Sequence, residues 1–272
     1  LEEWFKVMKP RIVIIRVAGT NCDVETARAV EECGMSASII HTKKLIDKCV
    51  DLSSFHGLII PGGFSYGDYV RAGAIWASKI RSKLIDDLLS FCKSGKPILG
   101  ICNGFQVLVE IGLLPGFNSG FTPKLALAPN DSGKFECRWI FLKPSGKNNV
   151  FMRYYSEDMI VRMPVAHSEG KFIASNDVLN LLVERNLIAF RYCTPNGSPA
   201  NGLYPFNPNG SYMDIAGIFN VDGNVMGLMP HPERATYFWQ YPNFTLQKFN
   251  DIYGDGFWIF KSMYEYIVEE IL

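Results

Sequence analysis

Three times in the first 115 residues a short apolar run ends at a small-residue turn and gives way to a helical pattern. "RIVIIRV" (11–17) ends at "AGTNCD", where Asn21 or Asp23 is placed to cap a helix through "VETARAVEECG". "GLIIPGG" (57–63) leads into the long helical stretch "AGAIWASKIRSKLIDDLLSFCKSG", and "PILGIC" (97–102) leads into "FQVLVEIGLL", with "SASIIH" (36–41) as a further strand. Strands that alternate with helices are joined by right-handed crossovers. They build an α/β fold with a doubly wound, mostly parallel sheet and helices on both faces.

After Pro115 this rhythm is lost. "FECRWIFLKPSG" (135–146) and "FIASNDVLNLLVERNLIAFRYC" (172–193) read as longer β pieces with one intervening helix. In "IAGIFNVDGNVMGLMPHPER", Asp222-Gly223 is a hairpin turn signal. "GFWIFKSMYEYIVEEIL" reads as a terminal helix with its aromatic side against the core. No repeat of fixed period and no long Pro/Ser/Gly linker divides the chain. One domain is expected over 1–272, with residues 1–10 as an N-terminal extension and 255–272 as a C-terminal helix.

Lysine plus arginine and aspartate plus glutamate number 27 each, so neither net charge nor a basic stripe recruits nucleic acid. The longest apolar runs are too short to cross a bilayer, which makes a membrane partner unexpected. Seven cysteines, at 22, 33, 49, 92, 102, 137 and 193, are an odd number without Cys-x-x-Cys spacing. That argues against both a disulfide framework and a zinc cage, and for a reducing, cytoplasmic compartment. "LEEWFKVMKP" is acidic and amphipathic, unlike a secretory signal; residue 1 is leucine, which leaves Met8 as an alternative start. No Gly-x-x-x-x-Gly-Lys-Ser/Thr loop and no ligand-spaced His/Cys cluster is present, so no cofactor and no metal are expected.

"KPILGICNGFQVL" places Cys102 where ligands bind in a doubly wound sheet, beyond the carboxyl end of a strand. Gly100 and Gly104 flank it as Gly-x-Cys-x-Gly, the small neighbours that a strained strand-to-helix nucleophile elbow needs. At a helix start the thiol also meets the positive end of the helix dipole. The plainer alternative is a small, buried apolar residue. Of the four histidines (41, 56, 167 and 231), His231 stands apart in "GLMPHPERA", with Glu233 two residues on. In an extended segment held by Pro230 and Pro232, residues i and i+2 share a face, so Glu233 can orient the imidazole; a surface His-Glu pair is the alternative. Backbone amides for an oxyanion are available at Gly62-Gly63, otherwise a tight turn, and at Asn103 beside the nucleophile. Gln106, four residues beyond Cys102, shares its helical face and is placed to reach a substrate.

Together, "PGGFSYGDYVRAGAIWA", "GICNGFQVL" and "GLMPHPERA" resemble the class I (triad) glutamine amidotransferases. "AGTNCDVETARAVEECG", "LAPNDSGKFECRW", "MPVAHSEGKF" and "NPNGSYMDIAGI" narrow the likeness to glutaminase subunits of phosphoribosylformylglycinamidine synthase. The matching stretches run from about Arg11 to Arg234. The resemblance implies a flavodoxin-like fold with a nucleophile elbow, and Cys102, His231 and Glu233 as catalytic residues. It further implies Gly63 and Asn103 as the oxyanion hole, and Gly62, Gln106 and Arg138 as substrate contacts. Glutamine would be the substrate, and ammonia would pass to an ATP-using synthetase subunit, with a small accessory subunit in the same complex. Activity of the isolated chain would be low, since a free glutaminase wastes ammonia.

Two further motifs stay open. His167, Ser168 and Glu169 in "PVAHSEG" read either as a solvated turn or as a partner-facing loop, and "NPNGS" (207–211) reads as a turn-forming cluster with the same alternative. Three rival functions remain at this point. A glutaminase could serve a synthetase making GMP, CTP or carbamoyl phosphate; a peptidase or stress protein could use the same elbow; or a scaffold could carry a vestigial triad.

Overall fold

The computed structural model describes residues 8–117, 122–246 and 251–272; of the expected N-terminal extension, residues 1–7 lie outside them. Four nearly all-apolar strands form the centre of a sheet: β1 (Arg11–Arg16), β3 (Gly57–Ile60), β4 (Ile98–Ile101) and β11 (Val225–Leu228). The inner four residues of β1 and every residue of the other three are buried. A strand covered on both faces has no polar side to present, which is why these sequences read as continuous apolar runs.

β2 (Ser36–His41) extends this group at one edge, giving the parallel series β2-β1-β3-β4-β11. The sheet continues with β10 (Ile215–Phe219), β9 (Ile188–Cys193), β6 (Glu136–Pro144) and β7 (Val161–His167), each antiparallel to its neighbour. The nine strands make one mixed sheet. β7 alternates strictly between buried and half-buried residues, the signature of a strand with one covered face. A separate antiparallel pair joins β5 (Leu125–Pro129) to β8 (Glu169–Ala174). The Asp222-Gly223 signal lies in the β10–β11 hairpin, where Gly223 takes φ +78° and Asn220 Oδ1 accepts from the Val225 amide at 2.9 Å.

Helices α1 (Asp23–Glu32), α5 (Asn103–Glu110), α6 (Asn176–Glu184) and α7 (Phe257–Glu270) occur where the periodicity places them, with a short α2 (Thr42–Ile46) after β2. Two details differ from expectation. The long stretch after β3 is two helices, α3 (Ala74–Lys83) and α4 (Ile85–Lys93), because Leu84 leaves helical angles (φ −134°, ψ 0°) and buries its side chain. Neither Asn21 nor Asp23 caps α1: Cys22 occupies the N-cap without a side-chain bond, and Asp23, in the first turn, pairs with Arg16 at 3.0 Å. A first-turn carboxylate still complements the helix dipole.

Packing around α5 leaves no room for a Cβ at Gly104 or Gly100. A Cβ on Gly104 would lie 1.8 Å from the carbonyl oxygen of Ile60, and one on Gly100 would lie 2.5 Å from Leu108 Cδ1. The two glycines of the Gly-x-Cys-x-Gly motif therefore let α5 approach β3 and β4. Phe105, Val107, Leu108 and Val109 become fully buried there, each contributing about 1.5–3 kcal/mol. Gly104→Ala is expected to destabilise the fold by about 3 kcal/mol or more, since rigid backbone must move. Gly133→Ala meets open space at φ +62° and is expected to lose only about 1–2 kcal/mol. Urea unfolding followed by circular dichroism measures both.

Candidate active site

Because β3, β4 and β11 are adjacent and parallel, their carboxyl ends lie side by side and the loops that follow them meet. Cys102 follows β4 directly. Its backbone has φ 50° and ψ −103°, a strained conformation for a residue with a Cβ. Two hydrogen bonds hold it there: the Cys102 amide donates to Leu228 O at 2.8 Å, and its carbonyl accepts from the Gln106 amide at 3.1 Å. The side chain is nearly buried, and Sγ faces the Ala166 carbonyl at 3.6 Å.

His231 follows β11. The segment after it is not extended: Pro232–Ala235 form a single 3-10 turn with Pro232 at its start. Proline's fixed φ suits the first residue of a helical turn, so the prolines end the strand without prolonging it. The turn still brings the pair together, with His231 Nδ1 2.6 Å from Glu233 Oε1 and both side chains buried. His231 Nε2 is buried and makes no hydrogen bond among the described residues, which leaves it as the ring nitrogen available to the Cys102 sulfur. Burial disfavours the imidazolium, but the Glu233 charge, followed by interactions with Cys102 and Cys22, outweighs it and holds His231 well above its ordinary value.

A further strand, β7, closes the site from the antiparallel half of the sheet. β7 is last in the strand order, yet its Pro164 carbonyl accepts from the His231 amide at 2.8 Å. The antiparallel half therefore curls back over the rim of the parallel half. This brings the 166–170 turn to Cys102.

The other expected residues divide. Gly63 (φ +147°) is held against Thr20, where a Cβ would meet backbone at 2.8 Å. The amides of Gly63 and Asn103 donate to no group among the described residues, as oxyanion donors require. Gly62 is needed for a different reason: a Cβ there would lie 2.7 Å from His231 Cε1 and 3.0 Å from Cys22 Sγ, so its absence makes room for the imidazole. Gln106 is buried, with Nε2 donating to Glu169 O at 2.6 Å and Oε1 accepting from Asn103 Nδ2 at 2.9 Å. Arg138 is engaged elsewhere, with Glu136 Oε2 at 2.7 Å and the Tyr204 hydroxyl at 2.6 Å. Among the described residues it bonds to no group of the Cys102–His231–Glu233 cluster.

Of the neighbours, Asp68 was not singled out from sequence, whereas His167 and Glu169 were left open between a solvated turn and a partner-facing loop. Asp68, on a loop with positive φ at Tyr66, Gly67, Asp68 and Val70, lies 3.5 Å from Asn103 Nδ2; burial and then the charge of Glu169 push its carboxyl up to about 6. Glu169 accepts from the Ala72 amide at 3.1 Å, and His167 is buried with Nδ1 3.0 Å from Asn130 Oδ1. "PVAHSEG" thus lies against Cys102, with His167 buried and Ser168 exposed. "NPNGS" is more than a turn: Asn207, Asn209 and Ser211 are buried, and Asn209 Nδ2 donates to Gly170 O at 2.9 Å, bracing that segment. Burial of Asn207, Asn209 and Ser211 is sustained because each finds a partner, a fact no composition rule reveals.

Among the described residues, Cys22, His231 and Glu233 form one group with ligand atoms within 4.8 Å of one another. Such spacing would suit a metal ion, but Arg234 Nη2 already lies 3.1 Å from the Cys22 sulfur. A fixed cation there disfavours a second one.

Residues 9–267 match the CobB/CobQ-like glutamine amidotransferase domain. The chain is 44% identical over 272 residues to phosphoribosylformylglycinamidine synthase subunit PurQ of Methanothrix thermoacetophila, covering 95% of this chain and 98% of that protein. It is 42% identical over 271 residues to the subunit of the same name from Archaeoglobus fulgidus, covering 94% and 97%. A chain in the solved structure of PurLQS from Thermotoga maritima superposes with a TM-score of 0.72 at 34% identity, over 96% of this chain and all of that one.

His231 is expected to titrate above the ordinary imidazole range in an NMR pH series. In Glu233→Gln the loss of the carboxylate charge should move that titration to lower pH; an unchanged midpoint would detach Glu233 from the imidazole.

Proposed function

The chain belongs to the phosphoribosylformylglycinamidine synthase subunit PurQ family of CobB/CobQ-like glutamine amidotransferases, and from that membership we propose how its own residues carry out the chemistry. It is the glutaminase subunit of the synthase, acting in purine biosynthesis. Glutamine enters with its side-chain carboxamide over Cys102. The sulfur attacks the amide carbon with its proton already held on His231 Nε2, and the oxyanion is held by the Gly63 and Asn103 amides. His231 returns the proton to the leaving nitrogen, and ammonia departs. Water then attacks the thioester with His231 taking its proton, which releases glutamate and restores the thiol. Glu233 holds Nδ1 and stabilises the imidazolium at each stage.

The observation that carries this reading is the pairing of a strained cysteine elbow with a buried imidazole whose Nδ1 is fixed at 2.6 Å by a carboxylate and whose Nε2 is free. Gln106, both ends of whose amide are already bonded, acts by fixing Asn103 and the Glu169 backbone beside the substrate. Gly62 acts by admitting the His231 ring.

Ammonia passes to an ATP-using synthetase subunit, with a small accessory subunit completing the complex; the T. maritima neighbour, which comes from PurLQS, supports a multi-subunit assembly. The compartment is the reducing cytoplasm, a reading supported by seven free cysteines. No helix among the described residues is long and apolar enough to cross a membrane. Cys102 is only 4% exposed, so glutamine reaches it after a local opening, which docking of the synthetase favours.

A diazoketone analogue of glutamine is expected to label Cys102 and no other cysteine, as read by peptide mass spectrometry. Cys102→Ala should lose the label and lower ammonia release on the order of 10⁴-fold or more. Ammonia release by the isolated chain is expected to rise when the synthetase subunit is added. Equal turnover with and without it would contradict the docking step.

A further inference from the structure

The mechanism above makes no use of Cys22, yet this residue is 1% exposed and lies against the catalytic imidazole. It sits between β1 and α1, with its amide donating to Gly62 O at 3.3 Å. The space that a Cβ on Gly62 would fill is bounded by His231 Cε1 at 2.7 Å, by Cys22 Sγ at 3.0 Å and by His231 Nδ1 at 3.4 Å. Thiol and imidazole edge therefore rest side by side on one patch of backbone. The sulfur also accepts from Arg234 Nη2 at 3.1 Å, while Arg234 Nε donates to Glu25 Oε1 on α1 at 2.8 Å. The thiol proton is directed to Asn21 Oδ1 at 3.3 Å.

We propose that Cys22 is a positioning residue for His231: its sulfur, clamped between the Gly62 backbone and the Arg234 guanidinium, fixes the edge of the ring so that Nε2 faces Cys102. The inference rests on the catalytic role given to His231 above. Glu233 by itself fixes one atom of the ring and leaves rotation about that hydrogen bond open. A second contact on the same edge removes this freedom, as orienting partners of catalytic and metal-bound imidazoles do. A thiol suits the place because burial pushes Cys22 up to about 11. It stays neutral at physiological pH and puts no second negative charge beside Glu233.

The charged and titratable groups facing the imidazole are Glu233, Cys102 and Cys22, with Arg234 behind the Cys22 sulfur and His167 near by. His167 is held neutral, its value lowered to about 3 by burial and then by His231. Contact with Cys22 favours the protonated imidazole. Its removal should therefore lower the alkaline limb of the pH profile.

The test uses the subunit assembled with its synthetase, comparing Cys22→Ala, Cys22→Ser and the volume-filling Cys22→Val. Expected for Ala and Val is a fall in kcat for glutamine hydrolysis of about 10- to 100-fold, with KM unchanged within about twofold. The alkaline limb of kcat/KM should move to lower pH, and Ser should recover part of kcat by restoring a polar partner for Arg234. Circular dichroism confirms folding; if Ala fails to fold, Val decides. Wild-type kcat and pH profile in folded Val would overturn the proposal, as would a KM effect alone. Diazoketone labelling of Cys102 in the wild-type protein separates the two levels: its failure removes the glutaminase mechanism, whereas normal labelling with unaltered Cys22 variants removes only the positioning role.

Discussion

The site depends on the parallel pairing of β11 with β4. Val225 to Leu228 run in register with Ile98 to Ile101, so the residues that follow each strand emerge at the same height on the same rim. The Cys102 amide continues that ladder by donating to Leu228 O at 2.8 Å. This bond spans 126 positions of sequence and fixes both the strained elbow and the start of the His231 loop. Without it the cysteine has no reason to keep φ 50°, because an isolated residue in that conformation relaxes at once.

Charge does the remaining work. His231 and Glu233 are buried together, and a buried ion pair is sustained only when its geometry is good and its other hydrogen-bonding positions are occupied. One such position stays open on each residue, Nε2 of the imidazole and Oε2 of the carboxylate. An open polar position inside a well-packed fold is a stored capacity to bind. The surrounding groups restrict motion: β7 holds the His231 amide, Gly62 seats the ring, and the polar lattice of Asn207, Asn209 and Ser211 braces the turn behind Cys102.

The parallel half of the sheet was legible because its strands are continuous apolar runs separated by turn signals, and local pattern suffices where burial is complete. The break at Leu84 was not, since both halves of "AGAIWASKIRSKLIDDLLSFCKSG" carry helical periodicity and only packing selects the interruption. The 3-10 turn after His231 was misread as extended because proline excludes a continuing helix but accepts the first position of a new turn. Asp68 and Cys22 were not assigned to the site, and Glu169 was left open as turn or partner-facing loop, for a common reason: each acts through a partner 35 to 212 residues away, and no spacing rule connects such positions.

From sequence alone came the strand-turn-helix order, the glycines that let α5 approach the sheet, the cysteine on its elbow, and a histidine with a carboxylate two residues on. These are local facts, set by side-chain size, backbone freedom and periodicity within about ten residues. Tertiary structure decided which strand lies beside β4, how far the antiparallel half curls back, and hence that β7, the 166–170 turn and Cys22 all face the imidazole. Those outcomes arise from the twist and curl of a nine-stranded sheet, a property of the assembled chain that no single segment encodes.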